Sequence, residues 1–218
     1  LSKKKPLKKY VSSKNKKKNL FIYWMSPSFV MVSLFTICLI FFSAIALLGS
    51  KSLNESSDSS SNINNASQEQ FISQTAEYAK QIKEKYGILP SISIAQAILE
   101  SDWGRSELSV KYNNFYGIKG SNPDQTTVMN TKEFVNGEWI EIKAPFKVYD
   151  SWQESMDEHA RLLVFGTTWN TNQYATVLAA TNYKDAAVAL QNSGYATDPD
   201  YSVKLMDLIE QYNLNQYD

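Results

Sequence analysis

Residues 29–48 read FVMVSLFTICLIFFSAIALL, twenty residues without a charge. As a helix, such a run covers the ~30 Å hydrocarbon layer of a bilayer. It divides the chain, because nothing folded in water can take this segment into a small core. The charges divide at the same place. Nine lysines and no acid fall within residues 1–50, so residues 51–218 hold 13 basic and all 22 acidic residues. A formal net charge of zero thus hides a basic tail and an acidic remainder. Lysines before a span keep that end in the cytoplasm, which sends the rest outside. Tyr23 and Trp24 suit the headgroup region. A cleaved signal peptide is the competing reading, but its apolar core would run about 7–15 residues, so an uncleaved anchor over 29–49 is expected. Beside a span, the lysines of the 1–28 tail read as a topology signal touching anionic lipid, not as a nucleic-acid arm.

The expected location is therefore the cell membrane, single-pass, with an extracellular domain. Ser33, Thr36, Ser43 and Ala44 give the anchor small or hydroxyl surfaces on which a membrane-protein partner could pack. Residues 50–67, SKSLNESSDSSSNINNAS, read as a polar Ser/Asn-rich linker that buries no core. Cys38 and His159 are the only residues of their kinds. That excludes an intramolecular disulfide and any cysteine- or histidine-cluster metal site. No metal and no cofactor are expected.

The folded domain is expected over 68–218. Ser67 is placed to cap a helix from about Gln68 to Tyr86, with Ile72, Ala76, Ala79, Ile82 and Tyr86 on one side and Gly87 as the stop. Pro90-Ser91 opens a second helix, Ile92 to about Asp102. Residues 126–149 place β-branched and aromatic runs on either side of Asn136-Gly137, a hairpin pattern. Ser151 caps a helix to about Val164, and further helical stretches lie near 171–180, 183–193 and 200–212. The sum is an α+β domain, mainly helical with one inserted β-hairpin.

The chemistry concentrates in Ala95-Gln-Ala-Ile-Leu-Glu100-Ser-Asp-Trp-Gly-Arg-Ser106. A glutamate ends an apolar helix beside a tryptophan and a glycine turn. Apolar neighbours raise a carboxyl pKa and keep a proton available near neutral pH. Glycosidic cleavage needs such a donor, since the sugar oxygen leaves poorly until protonated. Pattern alone leaves this reading level with a solvent-facing glutamate at a helix end. His159, alone in mid-helix, reads as structural.

The run AQAILESDWGRS, with Asn113-Asn-Phe-Tyr-Gly-Ile-Lys119 after it, resembles glycoside hydrolase family 73, the bacterial endo-β-N-acetylglucosaminidases that include autolysins and flagellar-rod hydrolases. Two later blocks match in order: Thr131–Gly137 leading to Phe146–Ser151, and Gly194–Pro199 with Tyr201. The resemblance covers about 70–215. It implies a lysozyme-like fold and cleavage of the β-1,4 bond between N-acetylglucosamine and N-acetylmuramic acid in peptidoglycan. It also implies that Glu100 is the general acid and Glu133 the second carboxylate. Glu133 could activate water, or the substrate's own N-acetyl group could attack instead. Phe115, Tyr116, Tyr195, Tyr201 and Asn114 are the substrate-binding candidates. Lys119 could meet a peptide stem or be solvated. Cleavage after N-acetylmuramic acid, by a muramidase or lytic transglycosylase, shares the fold and the lone glutamate. A non-catalytic wall-binding scaffold is the alternative outside enzymes.

Overall fold

The computed structural model describes residues 57–218. The expected anchor over 29–49 lies outside them. Among the described residues, no helix is long and apolar enough to cross a membrane. The order is α1 (Ser57–Tyr86), α2 (Pro90–Ser101), α3 (Glu107–Tyr112), a 3-10 turn (Pro123–Gln125), β1 (Thr126–Val135), β2 (Glu138–Lys147), α4 (Trp152–Phe165), α5 (Ala175–Leu178), α6 (Tyr183–Asn192), α7 (Tyr201–Gln211) and a closing 3-10 turn (Leu214–Tyr217). This is the expected α+β arrangement, helices with one two-stranded sheet.

Helix α1 starts at Ser57, not after a cap at Ser67. Residues 57–67, read as linker, are therefore helical in backbone. They contain no glycine or proline, and extending an existing helix costs far less than starting one. Its inward stripe is as spaced: Ile72, Ala76, Ala79 and Ile82 are buried.

Helix α2 is the centre of the domain. Eleven of its twelve residues are buried, as befits a helix apolar on nearly every side. It packs against α1, α6, α7 and the closing turn. Pro90 sits in its first turn, where a missing N–H costs nothing. Leu89 supplies no side-chain cap. Instead the Asp218 carboxylate accepts from Ser91 N (2.8 Å) and Ser91 Oγ (2.7 Å), a negative charge at the positive end of the helix. At the other end Asp102, Trp103 and Gly104 all take positive φ (51°, 60° and 73°). Two of them carry a Cβ, a conformation that costs on the order of 1 kcal/mol each. The turn is held by Ser101 Oγ, which donates to Ala97 O (2.5 Å) and accepts from Gly104 N (2.6 Å). Trp103 adds edge-on contacts to Phe71 and Tyr212.

The hairpin forms at Asn136-Gly137, with both residues at positive φ and Val135 paired to Glu138. That two-residue geometry matches the strand twist. Alternation turns Thr131 and Glu133 inward on β1, and leaves Glu138 and Glu141 exposed. The hairpin is fastened to the 194–199 loop through Phe134 N, which donates to Thr197 Oγ1 (3.2 Å).

Ser151 caps α4 as expected, accepting from Glu154 N (3.3 Å). The stretch near 171–180 shrinks to the four residues of α5. Thr167, Asn170 and Gln173 bond one another and nearby backbone, and such local bonds compete with helix formation. Helix α4 ends at Gly166 (φ 66°), where an added Cβ would stand 2.3 Å from Asn170 O and 2.6 Å from Thr171 C. Those are backbone atoms that cannot step aside. Gly166→Ala is expected to destabilise the domain by more than about 1 kcal/mol, read as a lower midpoint in thermal or urea unfolding.

Candidate active site

Apart from three serines, Gln96 and Glu100 are the polar residues buried on α2, one helical turn apart. Glu100 is 4% exposed. Its Oε1 accepts from Tyr201 Oη (2.8 Å), and Tyr201 Oη accepts from Gln96 Nε2 (2.9 Å). A tyrosine hydroxyl has one proton. With Gln96 donating into it, that proton goes to Glu100. Tyr201 begins α7, so the helix after the Gly194–Pro199 block delivers its hydroxyl to the end of α2.

The other carboxyl oxygen, Oε2, is buried and has no hydrogen-bond partner. Burial drives the Glu100 pKa well above the ordinary carboxylate range. The Tyr201 bond pulls it back, the Asp198 charge raises it, and the Lys204 charge lowers it. Asp198 is itself buried and paired to Lys204 Nζ (2.5 Å). Its other oxygen accepts from Asp200 N at the start of α7. Glu100 is thus arranged as a neutral acid with its proton on the free side. It can protonate an oxygen brought against Oε2.

Glu133 lies inward on β1 in a separate setting. Its Oε1 pairs with Lys119 Nζ at 2.6 Å, both side chains under 10% exposed, and its Oε2 has no partner. Burial raises its pKa and Lys119 opposes the rise. Lys119, read as a solvated or stem-binding residue, is therefore committed to this buried pair.

The substrate-binding candidates sort differently from expectation. Tyr195 and Tyr201 stack beside Glu100 (5.7 Å, 24°), but both are buried. Neither offers an open face for a sugar. Tyr201 holds the acid, and the Tyr195 hydroxyl is buried without a partner. Tyr116 is wholly buried, donates to Ser93 O (3.1 Å) and stacks on His159 (4.0 Å, 6°). Phe115 lies between Phe71 (5.6 Å) and Trp152 (5.9 Å) in an aromatic stack. Asn114 is a brace: its Nδ2 donates to Ile118 O and Lys147 O, and its Oδ1 accepts from Ile118 N. Tyr116, Tyr195, Tyr201 and Asn114 are buried, whereas Phe115 is half-buried. Trp139, 47% exposed and resting on Phe134, is the open ring of the hairpin.

His159 is buried, and burial pushes its pKa down to about 3. It is a neutral core residue. Among the described residues no three His, Cys, Asp or Glu side chains converge as a metal site. Sequence reasoning missed Gln96, though two polar residues one turn apart on an apolar helix were a readable sign. It also missed Lys204, the partner of Asp198, for which spacing gave no signal.

The family model described as mannosyl-glycoprotein endo-beta-N-acetylglucosaminidase matches residues 76–214. The chain belongs to the glucosaminidase family. That agrees with the family 73 resemblance of its ordered blocks. It is 52% identical over 151 residues to the exo-glucosaminidase LytG of Bacillus subtilis, covering 69% of this chain and 54% of that protein. It is 41% identical over 155 residues to a probable N-acetylmuramidase of Lactococcus lactis, covering 70% of this chain and 35% of that protein. The chain thus spans about half or less of the length of these relatives. The crystal structure of the catalytic domain of the autolysin Auto from Listeria monocytogenes superposes with TM-score 0.63 at 37% identity, covering 77% of this chain and all of that one.

Two substitutions should move the pH dependence of activity in opposite directions. An acid catalyst works below its pKa, so an acid role for Glu100 predicts that it sets the alkaline limb. Tyr201→Phe removes a bond that lowers the Glu100 pKa, and should shift that limb to higher pH. Asp198→Asn removes a charge that raises it, and should shift the limb to lower pH. The pH profiles of kcat/KM of the two variants against the parent check both signs.

Proposed function

We propose that this glucosaminidase-family chain hydrolyses peptidoglycan, cutting the β-1,4 bond after N-acetylglucosamine with Glu100 as general acid. The observation that carries the reading is the Glu100 carboxyl: buried, driven towards its neutral form, and tied by one oxygen while the other has no partner. A proton delivered from Oε2 to the glycosidic oxygen turns a poor leaving group into a neutral alcohol. Positive charge then develops on the sugar ring and needs an anionic partner. Glu133 is the carboxylate proposed for that stage. Lys119 counters the effect of its burial, and its free oxygen could orient water. Attack by the substrate's own N-acetyl oxygen, with Glu133 assisting, uses the same residues.

Two observations bear on which bond is cut. LytG, at 52% identity, is named for a glucosaminidase activity, and the Lactococcus relative, at 41%, for a muramidase. Digested wall reduced with borohydride discriminates. N-acetylglucosaminitol at the new ends is expected, with Glu100→Gln losing about 100-fold or more in rate. Muramitol or an anhydro sugar would overturn the assignment of the bond. Product length then separates removal of terminal sugars from cleavage within strands.

We also propose that residues 29–49 anchor the chain in the membrane with the catalytic domain outside. The uncharged run and the nine lysines before it support this. Protease added to intact wall-stripped cells should remove the domain and spare the lysine tail. Recovery of the full chain in the soluble cell fraction defeats the proposal.

A further inference from the structure

A cavity of 650 Å³, in the size range of small-ligand sites, opens at the foot of the hairpin. Glu100 does not line it. Its walls are the outer face of α4, the end of α1 at Lys85, and the two strand bases at Lys119 and Lys147. The lining is unusually rich in charge, and most of that charge is already paired. Lys119 holds Glu133, Lys147 holds Glu158, and Lys85 stands 4.0 Å from Asp157.

Arg161 is different. It lines the cavity yet forms no ion pair among the described residues, and its guanidinium lies over the ring of Phe165, 5.8 Å from the centroid. That ring is 58% exposed, a large apolar face turned to solvent one turn further along α4. A guanidinium above an open ring recognises a carboxylate next to a small apolar group. The lining acids Glu154, Asp157 and Glu158 disfavour a polyanion such as a phosphodiester chain, but accept a ligand that carries both amine and carboxylate.

We propose that this cavity binds the peptide stem of the muramyl sugar, with a stem carboxylate on Arg161 and a stem methyl or methylene on Phe165. The connection to the chemistry is Lys119. It is a wall of the cavity, and its Nζ is 2.6 Å from the carboxylate proposed to act beside the glycan. A muramyl residue lying near Glu133 would point its substituent across Lys119 into this space. The inference rests on the peptidoglycan reading above and adds a determinant for strands that still bear peptides.

The test compares the full chain on two polymers: intact glycan strands, and strands stripped of stems by an amidase. The parent should prefer stem-bearing strands. In Arg161→Ala, the ratio of kcat/KM on stem-bearing over stripped strands should fall about tenfold, carried in KM. Arg161→Lys should restore part of it, because lysine keeps the charge and loses the fork. A ratio unchanged in Arg161→Ala overturns the proposal, as does an equal loss on both polymers. A second measurement does not depend on catalysis: titration of the Glu100→Gln chain with an isolated tetrapeptide stem, followed by calorimetry. Binding that weakens with salt and is lost on adding Arg161→Ala supports the site. Absence of binding, or preference for glycerol phosphate over the peptide, rejects it. If the parent cleaves neither polymer, the hydrolase reading fails, and the peptide titration still decides the cavity.

Discussion

An ionised carboxylate taken out of water costs several kcal/mol unless other charges or donors replace the solvent. Glu100 is given one hydroxyl and little else. The group therefore settles towards its neutral form, and much of the domain serves to keep it that way. Helix α2 is buried on nearly every side, so little of its length meets solvent. Its first turn is tied by the Asp218 carboxylate, and its last is tied by three consecutive left-handed residues and the Ser101 hydroxyl. Tyr201 comes from a helix a hundred residues on, and Gln96 fixes which way its proton points. The acid is positioned by a helix pinned at both ends and is tuned by a second helix.

The two carboxylates that the family blocks single out are kept apart chemically. Burial raises both pKa values, Glu100 the further. Glu100 is held by the Tyr201 hydroxyl, with Asp198 and Lys204 acting through their charges, whereas Glu133 has a lysine in direct contact that opposes the rise. One group suited to giving a proton and one suited to holding negative charge are the two requirements of glycoside cleavage. The sheet is small, but its alternation sets this division. A one-residue slip in register would turn Glu133 out to solvent and Lys132 in, and the Asn-Gly turn guards against that slip.

Much of the frame was legible because it is written locally. Pro90, Ser151 and Asn136-Gly137 each act within a few residues, and each begins or turns an element where expected. The start of α1 was not legible. A Ser/Asn tract has weak preferences, and a neighbouring helix decides them. The tyrosines were the least legible. Tyr116, Tyr195 and Tyr201 look alike in sequence, and aromatic residues near a family block invite a sugar-binding reading. Their roles depend on partners far along the chain: Ser93 for Tyr116, Glu100 for Tyr201, the His159 edge for Tyr195. Charge pairing across the fold was equally hidden. Nothing at Lys119 signals that it will be sealed against a strand residue fourteen positions later.

The Oε2 atom of Glu100 has no contact with solvent and no partner. An atom that water cannot touch, a sugar cannot touch either, so a glycosidic oxygen reaches it only after something moves. The hairpin is held by the buried Lys119–Glu133 pair, by Phe134 N donating to Thr197 Oγ1, and at its base by Gly120 N donating to Pro145 O and Lys147 N to Ile118 O. In this structure Oε2 is therefore shut off. If only a small fraction of molecules stands open, the apparent affinity for the strand is weakened by that same fraction. Any contact that favours the open form would raise activity without touching the acid. For a hydrolase proposed to cut the wall around its own cell, rest in a shut state would be a form of restraint.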